Sequence, residues 1–289
     1  MTARVTIIGC GSWGSRVAGR VNALHGAVLH AVHDRNFGEA EALAHRFMVP
    51  WRGRVEDALE GATAAVIATP PSSGRYEQVR ACVDAGITHI RIEKPVALDP
   101  DEARRILDDF GDRAHIVAGQ TTLWNDAVPY LRGFVDGLTP WTRITVRARR
   151  LSTVAPAHDT TPFDDLAPHD LALLIDLFGQ PVAGATTGRR THMIWGHVDA
   201  EIEHVWDAPE KERSLTISAD GIALCYDEIA GIVQVTRGDR GPSLSAFDPH
   251  GALDRELAAW LTDGGTSLQL GVEIVDAMHK ARMTTAVAA

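Results

Sequence analysis

The feature that most constrains this chain is Gly9-Cys10-Gly11-Ser12-Trp13-Gly14, set directly after the apolar run Val5-Thr6-Ile7-Ile8. Three glycines at this spacing, with a strand before and a helical pattern after, specify a strand–turn–helix whose turn is open to a ligand. Each glycine has its own reason. Gly9 permits the tight turn out of the strand. Gly11 has no Cβ to hold a pyrophosphate away from the backbone. Gly14 lets the helix pack close to the sheet. N–H groups at the helix start, over Ser12 and Trp13, then face the phosphates with the helix dipole behind them. Asp34 closes the next apolar run, roughly 20 residues beyond Gly14, where an acid meets a ribose hydroxyl. This spacing assigns Gly9, Gly11, Ser12, Trp13, Gly14 and Asp34 to a dinucleotide. A carboxylate at 34 repels a 2′-phosphate and favours NAD. Arg35 beside it can pair with that phosphate, so NADP stays open.

The surrounding pattern supports the same fold. Strand-like runs at 5–8, 28–33, 64–68, 89–92 and 114–118 alternate with helical patterns. One of these ends near residue 24, and the others span 39–47, 56–59, 76–85 and 101–110. Such alternation predicts βαβ units, hence an α/β Rossmann domain over 1–119 with a parallel sheet and helices on both faces. Beyond Gly119 the pattern changes. A helix is expected at 126–135, an alternating strand at 141–150, and an apolar helix at 168–178 bounded by Pro168 and Gly179. Strands follow at 200–206, 214–218, 222–226 and 232–236, then helices at 254–261 and 268–282. Strands joined by turns such as Asp220-Gly221 predict an α+β C-terminal domain over 120–289 with a mainly antiparallel open sheet.

Composition excludes several functions. The net charge of −10 argues against nucleic acid and anionic lipid as partners. Cys10, Cys82 and Cys225 are odd in number and show no CxxC spacing, so neither a disulfide framework nor a thiolate zinc site is expected. Thirteen histidines are scattered, His158, His192 and His197 among them, without HExxH spacing, so no metal is expected. There is no G-x-S-x-G and no Walker lysine. No apolar run reaches the length of a membrane span, and no signal-type segment opens the chain, so a cytoplasmic location is expected.

Further motifs carry a family resemblance. Ala68-Thr69-Pro70-Pro71 and Glu93-Lys94-Pro95 end two of the strands. Asp165-Leu166-Ala167-Pro168-His169-Asp170 opens the apolar helix, and Gly119-Gln120-Thr121-Thr122-Leu123-Trp124-Asn125 leads into the second half. With the glycine loop, these resemble the Gfo/Idh/MocA oxidoreductases over nearly the whole chain. His204-Val205-Trp206 with Glu212-Arg213 is similar to the branch acting on nucleotide sugars.

The resemblance implies hydride transfer between a nicotinamide and a hydroxyl or ketone carbon of a sugar, nucleotide sugar or cyclitol. It implies Lys94 beside the nicotinamide, Asp165 and His169 as the acid–base pair, and Thr69, Pro70 and Glu93 near the cofactor. The chemistry suits these residue types. Histidine titrates near neutral pH, an aspartate can support its cationic form, and an ammonium can stabilise a developing alkoxide. Asp165 and His169 share a helix face only if the helix begins before Pro168.

Two departures put the substrate in question. The family's histidine after Thr-Pro-Pro is missing, with Arg75 in that region, and Asp164 stands where the nucleotide-sugar branch has tryptophan. Arg75, Trp124, Asn125, Arg149 and Asp164 are therefore the candidate substrate contacts. An imine or enone reductase of a specialised biosynthetic pathway and a non-catalytic dinucleotide sensor are the alternatives. The expected partners are a small-molecule substrate and further copies of the chain, as a homodimer or homotetramer through the open sheet.

Overall fold

The computed structural model describes residues 2–139, 142–155 and 160–283. Trp141, the expected start of a strand, and His158 lie outside the described residues. The chain divides into two compact units. One comprises Met1–Gln120 with Leu253–Val275, the other Thr121–Ala252 with Asp276–Ala289.

The first unit runs β1 (Ala3–Ile8), α1 (Ser12–Ala23), β2 (Ala27–His33), α2 (Phe37–Phe47), α3 (Val55–Leu59), β3 (Ala64–Ile67), α4 (Arg75–Asp84), β4 (His89–Glu93), α5 (Pro100–Phe110) and β5 (His115–Gly119). The strands form one parallel sheet in the order β2-β1-β3-β4-β5. Strands β1, β3 and β4 are almost wholly buried, as expected where helices cover both faces. In this strand order ligands bind at the carboxyl ends, where the strand order reverses between β1 and β3. Gly9 and Thr69 stand at those two ends.

A single boundary at residue 119 does not describe the division, because residues 253–275 cluster with the first unit. Leu253, Leu257 and Trp260 join one side of its core, and Leu268, Val272 and Val275 join the other.

The second unit begins with a 3₁₀ turn (Thr121–Trp124) and α6 (Val128–Asp136). It continues with β6 (Ile144–Leu151), α7 (Pro162–Phe178), β7 (Ala183–Thr187), β8 (Arg190–Trp195), β9 (Val198–Val205), β10 (Glu212–Ala219), β11 (Ile222–Asp227), β12 (Ile232–Arg237) and β13 (Arg240–Ala246). The eight strands are ordered β13-β12-β11-β10-β6-β9-β8-β7, antiparallel except for β6 with β9. Helices α8 (Ala252–Trp260) and α9 (Leu268–Met283) end the described chain. Strands β7, β8 and β13 escape the sequence pattern. β7 and β13 are edge strands, so they lack the apolar alternation of a half-buried strand.

Helix α7 begins six residues before the expected start. Pro162 occupies its first turn, and Thr161 and Asp164 form a reciprocal capping box at its N-terminus. Pro168 therefore lies inside the helix, where it has no N–H for the Asp164 carbonyl. On α7, Asp165 and His169 are one turn apart and share a face. No helix of the described residues is long and apolar enough to cross a membrane.

Candidate cofactor and proton-transfer sites

In the first unit, the glycine loop is shaped by its own packing. Gly9 has φ +101°, and a Cβ there would sit 2.7 Å from the backbone of Ala68 and Thr69. A Cβ on Gly14 would collide with the Gly9 carbonyl oxygen. Gly11 differs, because a Cβ there meets nothing within 4 Å. It precedes α1, whose N-terminus has no side-chain cap. Open space beside uncapped N–H groups is what a pyrophosphate needs, so these residues fit a dinucleotide.

Asp34 is fixed to the same loop. Its Oδ2 accepts from Cys10 N at 2.6 Å, and its Oδ1 accepts from Asn36 N at 2.8 Å. Arg35 beside it is exposed. Thr69 at the β3 end is partly buried and donates from Oγ1 to Gln78 Oε1 at 2.8 Å, with Pro70 next to it. Lys94 follows β4, partly buried, before a cis bond to Pro95.

Two assignments change here. Glu93 points inward, accepting from Trp13 Nε1 and from Arg91. Arg91 also bonds Glu256 Oε2 at 2.8 Å, and Glu256 Oε1 accepts from Gln120 N at 2.7 Å. Glu93 thus buttresses the glycine loop from within, through Trp13. Burial disfavours the Arg91 cation, but Glu256 and Glu93 outweigh that and raise its pKa.

Arg75 does not stand free to meet substrate. It is 1% exposed, and its guanidinium donates to the main-chain carbonyls of Thr69, Glu93 and Pro95. A planar fork of donors suits three converging carbonyls. Burial lowers its pKa to about 10, against the pull of Glu93 and Glu102. Arg75 therefore ties the β3 end to the turn that carries Lys94.

In the second unit, His169 is partly buried on α7, with Nδ1 3.1 Å from Thr122 Oγ1. Asp165 Oδ2 accepts from Trp206 Nε1 at 3.3 Å. Asp170, on a different face of α7, bonds buried Arg150 and His204. Burial alone would raise its pKa, but Arg150 and His204 hold it below the ordinary value.

The remaining expected substrate contacts divide. Asp164 caps α7 and pairs with Arg282. Trp124 is partly buried at the end of the 3₁₀ turn. Asn125 is buried and donates to Thr122 O at 3.0 Å, which is a structural role. Arg149 lies on the exposed face of β6, opposite the face that α7 covers, and pairs with Glu203 and Glu212. That places it away from His169. Among the described residues, no group of three or more His, Cys, Asp and Glu could hold a metal.

Residues 3–118 match the profile of the oxidoreductase family with an NAD-binding Rossmann fold, GFO_IDH_MocA. The match covers the first domain alone, and what it matches is the NAD-binding Rossmann domain of that family. Curated proteins yield no match to the chain. Solved structures share its whole fold. UDP-N-acetylglucosamine 3-dehydrogenase GnnA from Acidithiobacillus ferrooxidans is 23% identical, with a TM-score of 0.86 and 98% of each chain covered. An oxidoreductase from Agrobacterium radiobacter, in complex with NAD+, L-tartaric acid and magnesium, is 14% identical at TM-score 0.81, covering 100% of this chain and 98% of the other. The 3-ketoreductase KijD10 from Actinomadura kijaniata, in complex with TDP-benzene and NADP, is 17% identical at TM-score 0.81, with 98% of each chain covered.

Several residues of this chain are invisible to motif reading. Glu256 reaches Arg91 and Gln120 from a helix far along the chain. Thr122 reaches His169 across 47 positions. The only available signal for Thr122 was its place in the Gly119–Asn125 segment. A buried charge on an otherwise apolar strand, Arg91 between Ile90 and Ile92, was a usable signal that a carboxylate partner must exist.

Proposed function

We propose that this NAD-binding oxidoreductase transfers hydride between a nicotinamide and a hydroxyl or ketone carbon of a sugar, nucleotide sugar or cyclitol. The observation that carries the reading is the α7 face bearing Asp165 and His169, with the His169 ring fixed at Nδ1 by Thr122. When bound, the nicotinamide supplies or accepts the hydride. Gly9, Gly11, Ser12, Trp13 and Gly14 would hold the pyrophosphate on backbone N–H groups, and Asp34 would take the ribose hydroxyls. Arg35 leaves room for NADP as well as NAD.

His169 gives a proton to the substrate oxygen in reduction and takes it back in oxidation. Asp165 supports the imidazolium. Lys94 donates to the same oxygen and stabilises its alkoxide charge, which matters most where water is excluded. Thr69 and Pro70 shape the wall beside the nicotinamide, and Trp124 and Asp164 are the remaining candidates for substrate selection. A nucleotide sugar is the favoured substrate class, since GnnA is a UDP-N-acetylglucosamine 3-dehydrogenase and KijD10 a 3-ketoreductase held with TDP-benzene. The open face of the eight-stranded sheet is the surface offered to a second copy, and the cytoplasm is the proposed location.

The test is a pair of variants, Lys94→Ala and His169→Ala, assayed with ketosugars and nucleotide sugars under NADH and NADPH. Loss of turnover with cofactor affinity kept supports the assignment. Normal turnover in both variants overturns it.

A further inference from the structure

The first unit holds a buried ionic relay that ends at the glycine loop. Arg91 on β4 is fully buried between Ile90 and Ile92. One amino group of its guanidinium donates to Glu93, and the other donates to Glu256 Oε2 at 2.8 Å. Glu256, on α8, is also fully buried, and its Oε1 accepts from Gln120 N at 2.7 Å. Glu93 in turn accepts from Trp13 Nε1. A continuous path therefore runs from α8 through β4 to the second residue of α1, by way of Glu256, Arg91, Glu93 and Trp13.

The fold makes room for this path. A Cβ on Gly119 would stand 2.7 Å from Arg91 Nη2, so the glycine at the end of β5 leaves space for the guanidinium. Both oxygens of Glu256 accept, one from a β4 side chain and one from the main chain just past β5. An amide in that place would set an NH2 group against one of the two donors.

Stability alone does not account for the relay, because a buried ion network is worth little over apolar side chains of equal volume. Geometry is what it supplies, and the end it fixes is the one that meets the cofactor. The N-terminus of α1 has no side-chain cap, and Trp13 contributes one of its open N–H groups. The indole is held at its edge by Glu93, while the Arg16 guanidinium lies over its face, 5.3 Å from the centroid. A ring held twice fixes the main chain that carries it, so the N–H groups stand aimed before a pyrophosphate arrives.

We propose that Glu256 is a positioning residue for the dinucleotide, acting through Arg91, Glu93 and Trp13 on the N–H groups of the glycine loop. The inference rests on the dinucleotide reading of that loop and is independent of the proton chemistry proposed for α7. It makes a helix near the end of the chain part of the cofactor site.

Calorimetric titration of the full chain with NADH tests this, beside NMR of the indole N–H peaks in nitrogen-15-labelled protein. Trp13→Phe removes the N–H and keeps a ring under Arg16, and the folded variant should bind NADH about tenfold more weakly. The indole peak missing from its spectrum is that of Trp13. Glu256→Asp keeps the charge and withdraws it by one methylene. Below its thermal midpoint, that variant should show a displaced Trp13 peak and bind NADH about fivefold more weakly. The double variant should bind no more weakly than Trp13→Phe, because the path is already cut. The proposal is overturned if Trp13→Phe binds NADH like the parent, if Glu256→Asp leaves the Trp13 peak in place, or if the two losses multiply in the double variant. A parent that binds no NADH would overturn the dinucleotide reading, and this inference with it.

Discussion

The Thr122 hydroxyl stands 3.1 Å from Nδ1 of His169. A hydroxyl there can accept from Nδ1–H in both the neutral ring and the imidazolium, which leaves Nε2 to take and give the proton in the proposed cycle. Thr122→Val removes that bond and leaves the shape. A hydrogen bond of about 1–1.5 kcal/mol corresponds to roughly tenfold in rate. We expect kcat to fall about tenfold, the limb of the pH–rate profile belonging to His169 to move, and NAD affinity to stay the same. Steady-state kinetics across pH checks this. An unmoved pH profile removes Thr122 from the proton path.

The glycines of the loop should fail in different ways. Gly14→Ala drives a methyl onto the Gly9 carbonyl, so the chain should lose soluble expression or melt far lower. Gly11→Ala meets open space, so its thermal midpoint should match the parent while NAD binding weakens at least tenfold. Thermal melts beside fluorescence titrations with NADH distinguish the two. Equal effects on folding from both substitutions would contradict the packing described.

We propose that cofactor choice rests on Asp34 and Arg35. Asp34 is bonded to Cys10 N, so its carboxylate is held against the loop rather than swinging away from a 2′-phosphate. Asp34→Ser should shift the NADPH-to-NADH ratio of kcat/KM toward NADPH by about tenfold or more, and Arg35→Ala should shift it the other way. Unchanged ratios in both would show that neither side chain reads the ribose.

Arg75 should act through structure. Arg75→Met leaves three buried carbonyls without their donor, at a cost of about 3 kcal/mol. That lowers the thermal midpoint by roughly 10 °C. Because one of those carbonyls belongs to Pro95 and another to Glu93, kcat should also fall through the placement of Lys94. A variant with full stability and activity would show that the clamp is dispensable.

Much of the first unit is legible because its signals are local. The run from Gly9 to Gly14 and the acid at Asp34 lie inside one βαβ unit, where spacing alone carries the geometry. Arg75 was illegible because its partners come from the ends of two other strands, and a buried arginine looks in sequence like an exposed one. Arg149 and Arg150 show the same limit. Adjacent on β6, they face opposite sides of the sheet, one paired with partly buried glutamates and the other buried against Asp170. The start of α7 was obscured by Pro168, which reads as a first-turn proline although Thr161 and Asp164 already cap the helix. Residues 253–275 read as part of the second half, because only tertiary packing of Trp260 and its neighbours reveals which core they fill.

The most direct measurement of the central claim follows deuterium. The chain is incubated with NADH deuterated at the nicotinamide C4 and a panel of keto nucleotide sugars, and the products are read by mass spectrometry and NMR. The account predicts one deuterium on the carbinol carbon of a sugar product, lost in Lys94→Ala and in His169→Ala while both variants still bind NADH. Deuterium transfer at the parental rate in both variants would contradict it.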